Sequence, residues 1–335
     1  MSAVLTRSRV SNALRCYASY ALSRLGLVRI SHAPLFVSVE PASICQLRCP
    51  ACPVGLRNTG VPVSRDSERF MSLDVWHRTL SEIRKTAFVV QFYFQGEPLL
   101  NKDLPLMIRE AHEAGLYTIV STNAQALTET LAAQLVDAHL DRIIISMDGL
   151  TDLTYNAYRI GGSLEKCKEA LKWLRKAKSV CTLSAKRSVL CQRSGPIIEL
   201  QVLRLRSNEH EWNTFKRVYK SLGADKLTFK TAQLYDYTNG HPLMPSNPRY
   251  SRYIKGPDGR YHRRPLSKSC FRVWSGVVIT TTGEVLPCCY DKAHDHAYGN
   301  IMTSPLHDLF CSEQANAFRR AAFRQTPQIC QECWK

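Results

Sequence analysis

Short apolar runs and amphipathic stretches alternate along most of the chain. Runs rich in Val, Ile, Leu, Phe or Thr occur at Leu35–Ser43, Phe88–Gly96, Tyr117–Asn123, Arg142–Gly149, Ile197–Leu205 and Lys226–Leu234. Each reads as a strand buried on both faces, because such strands lose the in–out alternation of a half-exposed one. Helical patterns lie between them. Ser72 is placed to cap a helix whose apolar face is Leu73, Trp76, Leu80 and Ile83. Residues 103–114 follow, stopped by Gly115, then residues 129–139 with Thr128 as N-cap. Residues 164–178 and 209–222 complete the set, the last stopped by Gly223. Six strand–helix units in succession predict an α/β fold with a parallel sheet, either open and doubly wound or a partial barrel.

Two segments depart from this rhythm. Residues 1–33 carry Arg7, Arg9, Arg15, Arg24 and Arg29 and no acid, while Val10, Leu14, Tyr17, Ala21, Leu22 and Leu25 recur at helical spacing. A basic amphipathic helix is expected, either packed on the next domain or laid on a membrane surface. The stretch 178–195, with Cys181 and Cys191, reads as an insertion. From about Gly240 the pattern breaks into Pro, Gly, Tyr and Arg. Between Arg249 and Arg272 there are eight Lys or Arg and one Asp. The chain thus divides into an N-terminal helix (1–33), an α/β core (34–239), a basic linker (240–269) and a cysteine-bearing end (270–335).

Length and composition narrow the class. With 335 residues, 44% of them hydrophobic, the chain suits one large α/β domain and a small appendage. A net charge of +17 attracts nucleic acid, anionic lipid or an anionic substrate. No nucleic-acid motif accompanies the charge, so a nucleic-acid partner is not expected. The 13 cysteines do not form a small secreted disulfide framework. Neither a secretory h-region nor a run of 18 apolar residues is found, which places the chain in a reducing cytoplasm with thiols used for metal.

Cys45, Cys49 and Cys52 follow the first strand. In parallel βα folds, chemistry collects at the C-terminal ends of strands. Three thiolates at this C-x3-C-x2-C spacing can each take one iron of a cubane, leaving the fourth iron open for a ligand. The bland alternative is a zinc site, which normally needs a fourth ligand nearby.

The fragment Cys45-Gln-Leu-Arg-Cys49-Pro-Ala-Cys52 resembles the cluster loop of the radical S-adenosylmethionine (SAM) superfamily. Ala51 stands where that family often has an aromatic residue. The second strand ends in Gln95-Gly96-Glu97-Pro98, similar to the family's G-G-E-P turn with Gln95 in place of the first Gly. The third ends in Ser121-Thr122-Asn123, and the fourth reads Ile145-Ser146-Met147-Asp148-Gly149, similar to S-x-D-G. Arg159 stands where relatives put an Arg on the SAM carboxylate. The resemblance implies a partial (β/α)6 barrel with a [4Fe-4S] cluster on Cys45, Cys49 and Cys52. It implies SAM contacts from Gly96, Glu97, Pro98, Ser121, Asn123, Ser146, Asp148 and Arg159. It also implies one-electron cleavage of SAM to a 5′-deoxyadenosyl radical that takes a substrate hydrogen, with the electron coming from a flavodoxin or ferredoxin.

The C-terminal cysteines read Cys270, then Gly283-x4-Cys288-Cys289, then Cys330-x2-Cys333. Four thiolates saturate a zinc ion or a [4Fe-4S] cluster. The C-x12-G-x4-C opening resembles the SPASM domain in its shortened, single-cluster form, which implies a second, auxiliary cluster on Cys270, Cys288, Cys330 and Cys333. Only one of Cys288 and Cys289 fits as a ligand, and Cys288 is the choice. Cys16, Cys167, Cys181, Cys191 and Cys311 lack a partner pattern and read as ordinary thiols.

Asp291 and Lys230 are the candidate catalytic side chains, Lys230 because it ends the last strand. Relatives of the shortened form include dehydrogenases of sugar-like alcohols, and others modify peptides. No peptide-recognition domain precedes the core, so the expectation leans to a small, glycosyl-type substrate, anionic because of the basic linker. The alternative from another class is a non-catalytic scaffold stabilised by zinc or an iron–sulfur cluster.

Overall fold

The computed structural model describes residues 4–28, 30–57, 69–185, 195–264, 270–324, 326–331 and 333, and not the side chains of 181–185. Arg29, Cys191 and the Cys181 side chain therefore lie outside the described residues. In chain order the elements begin with α1 (Arg7–Ser23), β1 (Phe36–Val39), α2 (Pro53–Arg57), α3 (Leu73–Ile83), β2 (Val89–Phe92), α4 (Leu104–Glu113), β3 (Tyr117–Thr122) and α5 (Glu129–Asp137). They continue with β4 (Arg142–Ser146), α6 (Asp152–Asn156), α7 (Leu164–Ala185), β5 (Ile197–Arg204), α8 (Trp212–Val218) and β6 (Lys226–Thr231). The remainder is β7 (Tyr253–Lys255), β8 (Tyr261–Arg263), α9 (Arg272–Ser275), β9 (Gly276–Ile279), β10 (Val285–Leu286), α10 (Leu306–Cys311), α11 (Glu313–Phe323) and α12 (Gln328–Gln331).

The expected caps are made. Ser72 accepts from the Val75 backbone N–H and Thr128 from that of Leu131. Strands β1 to β6 pair in sequence order and in parallel, and among the described residues β6 has no partner on its far side. The sheet is therefore open, a partial barrel rather than a closed one.

The strands are covered on both faces, but the two faces differ in chemistry. Val37, Val90, Phe92, Val120, Ile143, Ile145, Ile198, Leu200 and Val202 form the core under the helices. Period-2 alternation sends Ser38, Gln91, Ser121, Arg142, Ser146, Glu199, Gln201, Thr228 and Lys230 to the inner face. This polar inner face was not expected from apolar runs.

Three further differences matter. The helix predicted over 164–178 runs on to Ala185, and the one over 209–222 is a 3-10 turn followed by α8. The cysteine-bearing end is not a detached appendage: β9 pairs in parallel with β1, Val37 beside Val277, and β10 adds an antiparallel edge. Trp274, Val277, Ile279 and Val285 enter the same hydrophobic core as the barrel strands. Finally, α1 is turned over. Its buried residues are Arg9, Asn12, Cys16, Ser19 and Ser23, and the apolar stripe is exposed, so of the two alternatives the structure leaves that stripe unpacked.

Candidate functional site at the mouth of the barrel

The chain leaves β1 at Val39 and reaches Cys45 over a loop pinned to its surroundings. The backbone N–H of Glu97 donates to the Ile44 carbonyl at 2.8 Å. The Cys49 carbonyl accepts from the Cys52 N–H, and the Cys52 carbonyl from that of Leu56, so the loop rolls directly into α2. A Cβ on Gly55 would lie 2.3 Å from the Cys49 carbonyl oxygen, which is why the turn carries glycine.

Cys49 is buried and Cys45 and Cys52 half-buried. Asn123 Nδ2 donates to Cys45 Sγ at 3.2 Å, and the Leu47 N–H approaches the same sulfur at 3.4 Å. Burial pushes the Cys45 thiol up to about 12 and the Cys49 thiol up to about 11. The three sulfurs lie within electrostatic reach of one another, and Arg159 hydrogen-bonds Cys49. Among the described residues no three His, Cys, Asp or Glu side chains are gathered tightly enough for a single metal ion. A cubane spreads its thiolates over separate irons and asks for a wider set. Three thiols on one short loop, with the Arg159 guanidinium beside Cys49 to offset the charge of thiolates, suit the ligands of such a cluster.

The turn at Gly96 abuts this loop. A Cβ on Gly96 would lie 2.1 Å from the Ala42 carbonyl oxygen and 2.7 Å from that of Ile44. Pro98 begins a single 3-10 turn. The Glu97 carboxylate is buried and fully engaged: Oε1 accepts from the Leu99 N–H and the Thr122 hydroxyl, and Oε2 from the Asn123 N–H at 2.8 Å. Burial raises its pKa against these donors. Glu97 thus ties the end of β2 to the end of β3. It sets Asn123, whose amide meets Cys45.

The fourth strand delivers a second tie. Asp148 is fully buried. Its Oδ2 accepts from Arg159 Nε at 2.6 Å and its Oδ1 from the Leu203 N–H at 2.6 Å. Arg159 also lies over the Tyr158 ring, 5.4 Å from its centroid. Ser121 and Ser146 sit on the inner face near the ends of β3 and β4.

Of the C-terminal cysteines, Cys288 lies within electrostatic reach of Cys270, Cys289 and Cys330, and Cys330 within reach of Cys333. Burial pushes Cys288 upward and Cys330 up to about 12. Cys289 lies within electrostatic reach of Tyr93, Arg272 and Lys292, and Cys288 shares the last two. Asp291 is buried, and both its oxygens are taken by backbone, Oδ1 by the Asp295 N–H and Oδ2 by the His296 N–H. Lys230 is exposed, on the inner face of β6 opposite Leu203.

The sequence did not single out Lys292, Glu40 or the Gln95 side chain. Lys292 Nζ lies 4.1 Å from the centroid of the Phe94 ring, and its carbonyl accepts from Gln95 Nε2 at 3.0 Å. It stands within electrostatic reach of Cys52, Cys288, Cys289 and Glu40, so it lies between the two cysteine sets, and burial lowers its pKa. Glu40 is buried and accepts from the Gln95 N–H at 3.1 Å. Its signal was present in the alternation of β1, where Ser38 and Glu40 share the inner face.

Comparison with known proteins bears on this arrangement. A family model described as the Radical SAM superfamily matches residues 39–185, and one described as an iron–sulfur cluster-binding domain, SPASM, matches 270–334. A PqqA peptide cyclase of Rhodopseudomonas palustris is 29% identical over 282 residues, covering 76% of this chain and 67% of that protein. The solved structure of anSMEcpe with bound AdoMet superposes with a TM-score of 0.65 at 18% identity, over 87% of this chain and 81% of that one. BtrN in complex with AdoMet and 2-DOIA superposes with a TM-score of 0.54 at 18% identity, over 91% and 95%. At such identities the two structures speak for the fold.

Proposed function

We infer that this chain, which belongs to the radical SAM superfamily and carries a C-terminal SPASM domain, directs its chemistry at a peptide. It is an enzyme whose cofactors are [4Fe-4S] clusters and SAM. The non-catalytic scaffold weighed from the sequence is thereby set aside. A cluster held by Cys45, Cys49 and Cys52 would supply the one-electron reduction of SAM from which hydrogen abstraction at the substrate follows.

The residues of the chain do the rest. Cys45, Cys49 and Cys52 are the ligands of the SAM-binding cluster. Asn123, fixed by Glu97, orients Cys45. Arg159, held through Nε by Asp148 and also hydrogen-bonded to Cys49, offers the rest of its guanidinium to the SAM carboxylate. Gly96 lets the turn close on the cluster loop, and Pro98 stiffens it. Ser121 and Ser146 offer hydroxyls to the cofactor. Cys270, Cys288, Cys330 and Cys333 hold the auxiliary cluster, while Cys289 lines the substrate side. Asp291 shapes its own loop through both oxygens, so Lys292 takes the place expected of it as the charged group at the substrate. Lys230 borders the same polar face. A flavodoxin or ferredoxin in a reducing cytoplasm supplies the electron.

The peptide reading takes the second of the two substrate classes considered from the sequence, in place of the lean towards a small glycosyl-type one. Its carrying observation is the similarity to peptide cyclases over 76% of the chain. The inner face is consistent with it: Gln91, Gln95, Lys292 and Glu40 can meet the N–H and C=O groups that any peptide presents. The test compares peptides and small metabolites from cells holding the intact protein with those from cells holding Cys45→Ala. A mass shift in one peptide supports the reading; a shift confined to small molecules overturns it.

Among the described residues no helix is long and apolar enough to cross a membrane. The reading includes contact with a membrane surface through the exposed side of α1.

A further inference from the structure

Helix α1 is built inside out. Its polar side is fixed to the protein by hydrogen bonds. Arg9 is 2% exposed. Its Nη1 donates to the Val4 and Gly115 carbonyls and its Nη2 to those of Arg84 and Ala114, all at 2.7–2.8 Å. Two of these acceptors, Arg84 and Ala114, cap the C-terminal ends of α3 and α4, where a cation is favoured. Asn12 takes the Ala33 N–H and donates to the Ala33 and Thr86 carbonyls. Cys16 Sγ meets the Trp274 carbonyl. Turning the helix over would bury its apolar side only by stripping these groups of partners.

The opposite side carries the apolar stripe. Val10, Leu14, Tyr17 and Ala21 follow one another at helical steps, Tyr17 with its ring also stacked on Phe271, and Leu25 lies two residues beyond the helix. Val10 is 43% exposed, Leu14 65% and Leu25 77%. Leu22 and Leu27 extend the exposed surface, and Val4 and Leu5 precede it. Arg7, Arg15 and Arg24 stand on the exposed part of the same helix, and the chain has no acid before Glu40. Exposed apolar rows of this extent mark an interaction surface.

The charge selects the occupant. A second copy docking about a two-fold axis would bring this basic helix against itself, like charge against like. A bilayer surface rich in anionic lipid offers both what the leucines need, an acyl boundary, and what the arginines need, negative headgroups. We propose that α1 seats the enzyme on an anionic membrane surface, with Val10, Leu14, Leu22 and Leu25 in the acyl boundary and Arg7, Arg15 and Arg24 at the headgroups. This deepens the surface contact proposed above and rests on it. It is independent of the peptide reading.

The experiment sediments the full-length, cluster-loaded protein with phosphatidylcholine vesicles, with and without phosphatidylserine. The intact protein partitions onto the anionic vesicles, and added salt releases it. Val10→Asp with Leu14→Asp lowers the partition by about tenfold or more, as does Arg7→Glu with Arg24→Glu, while iron content and SAM cleavage without vesicles are unchanged. If the intact protein never prefers anionic vesicles, the membrane contact itself fails. If it binds but the Val10→Asp/Leu14→Asp protein binds equally, the contact stands and this face is wrong. A dimer that this double change dissolves, with no vesicle binding, overturns the proposal in favour of a second copy.

Discussion

Arg159 Nε donates to Asp148 Oδ2 at 2.6 Å, and this contact joins two residues that the sequence presented as separate cofactor ligands. Oδ1 is engaged by the Leu203 N–H, so each oxygen of the buried Asp148 already accepts from protein. Its work is to hold Arg159 beside Cys49. Asp148→Asn keeps the size and weakens the hold. Expected outcomes are a SAM affinity lower by about tenfold and a folded state destabilised by about 3–5 kcal/mol through an uncompensated guanidinium. The iron content stays. Calorimetric SAM titration beside iron analysis reads both, and unchanged SAM affinity would return Asp148 to a purely structural place.

Gly96 carries a steric prediction. Its missing Cβ leaves room for the Ala42 and Ile44 carbonyls, which lead into the cluster loop. Gly96→Ala must push that loop away from β2. The first-cluster irons and SAM cleavage fall together, by more than about tenfold in cleavage rate, while the auxiliary irons remain. Retention of the full cleavage rate would mean that the loop has slack.

Cys288 and Cys289 are neighbours with different surroundings. Cys288→Ala removes the auxiliary cluster, about four irons, and Cys289→Ala leaves it in place. Mössbauer counting of irons separates the two, and the reverse result would exchange their roles.

The buried His32 sets an acid limit on stability. It packs edge-on against Phe310 at 5.6 Å, and burial lowers its pKa from 6.5 to about 4. The folded chain therefore holds it neutral where the unfolded chain begins to protonate. The stabilisation is present above pH 6.5 and drains away as the pH falls towards 4, up to about 3 kcal/mol in all. His32→Phe removes that slope, so its denaturation midpoint changes less between pH 7 and pH 4.5 than that of the intact protein. Parallel curves would place the acid sensitivity elsewhere.

Much of the architecture was legible in the sequence because it is local. The six strands, the Ser72 and Thr128 caps and the cysteine spacing all depend on near neighbours. What the sequence hid depends on distant ones. The apolar stripe of α1 was plain, but its direction is set by the carbonyls of Arg84, Ala114 and Gly115, 75 to 106 residues away from Arg9. Nothing near Val277 announces a partner in Val37. Asp148 and Arg159 were both found, but not that each satisfies the other. Lys292 follows Asp291 directly, yet only the fold shows which of the two reaches the barrel mouth and which is spent on its own turn.

The loop at Cys45, Cys49 and Cys52 is proposed to hold an open cluster at which SAM is cleaved. The most direct test is 5′-deoxyadenosine release from SAM by the anaerobically reconstituted, reduced protein. The intact protein, brown with about eight irons per chain, releases it, and the protein with the three cysteines replaced by Ala does not. A colourless, zinc-loaded protein that leaves SAM intact would contradict this assignment.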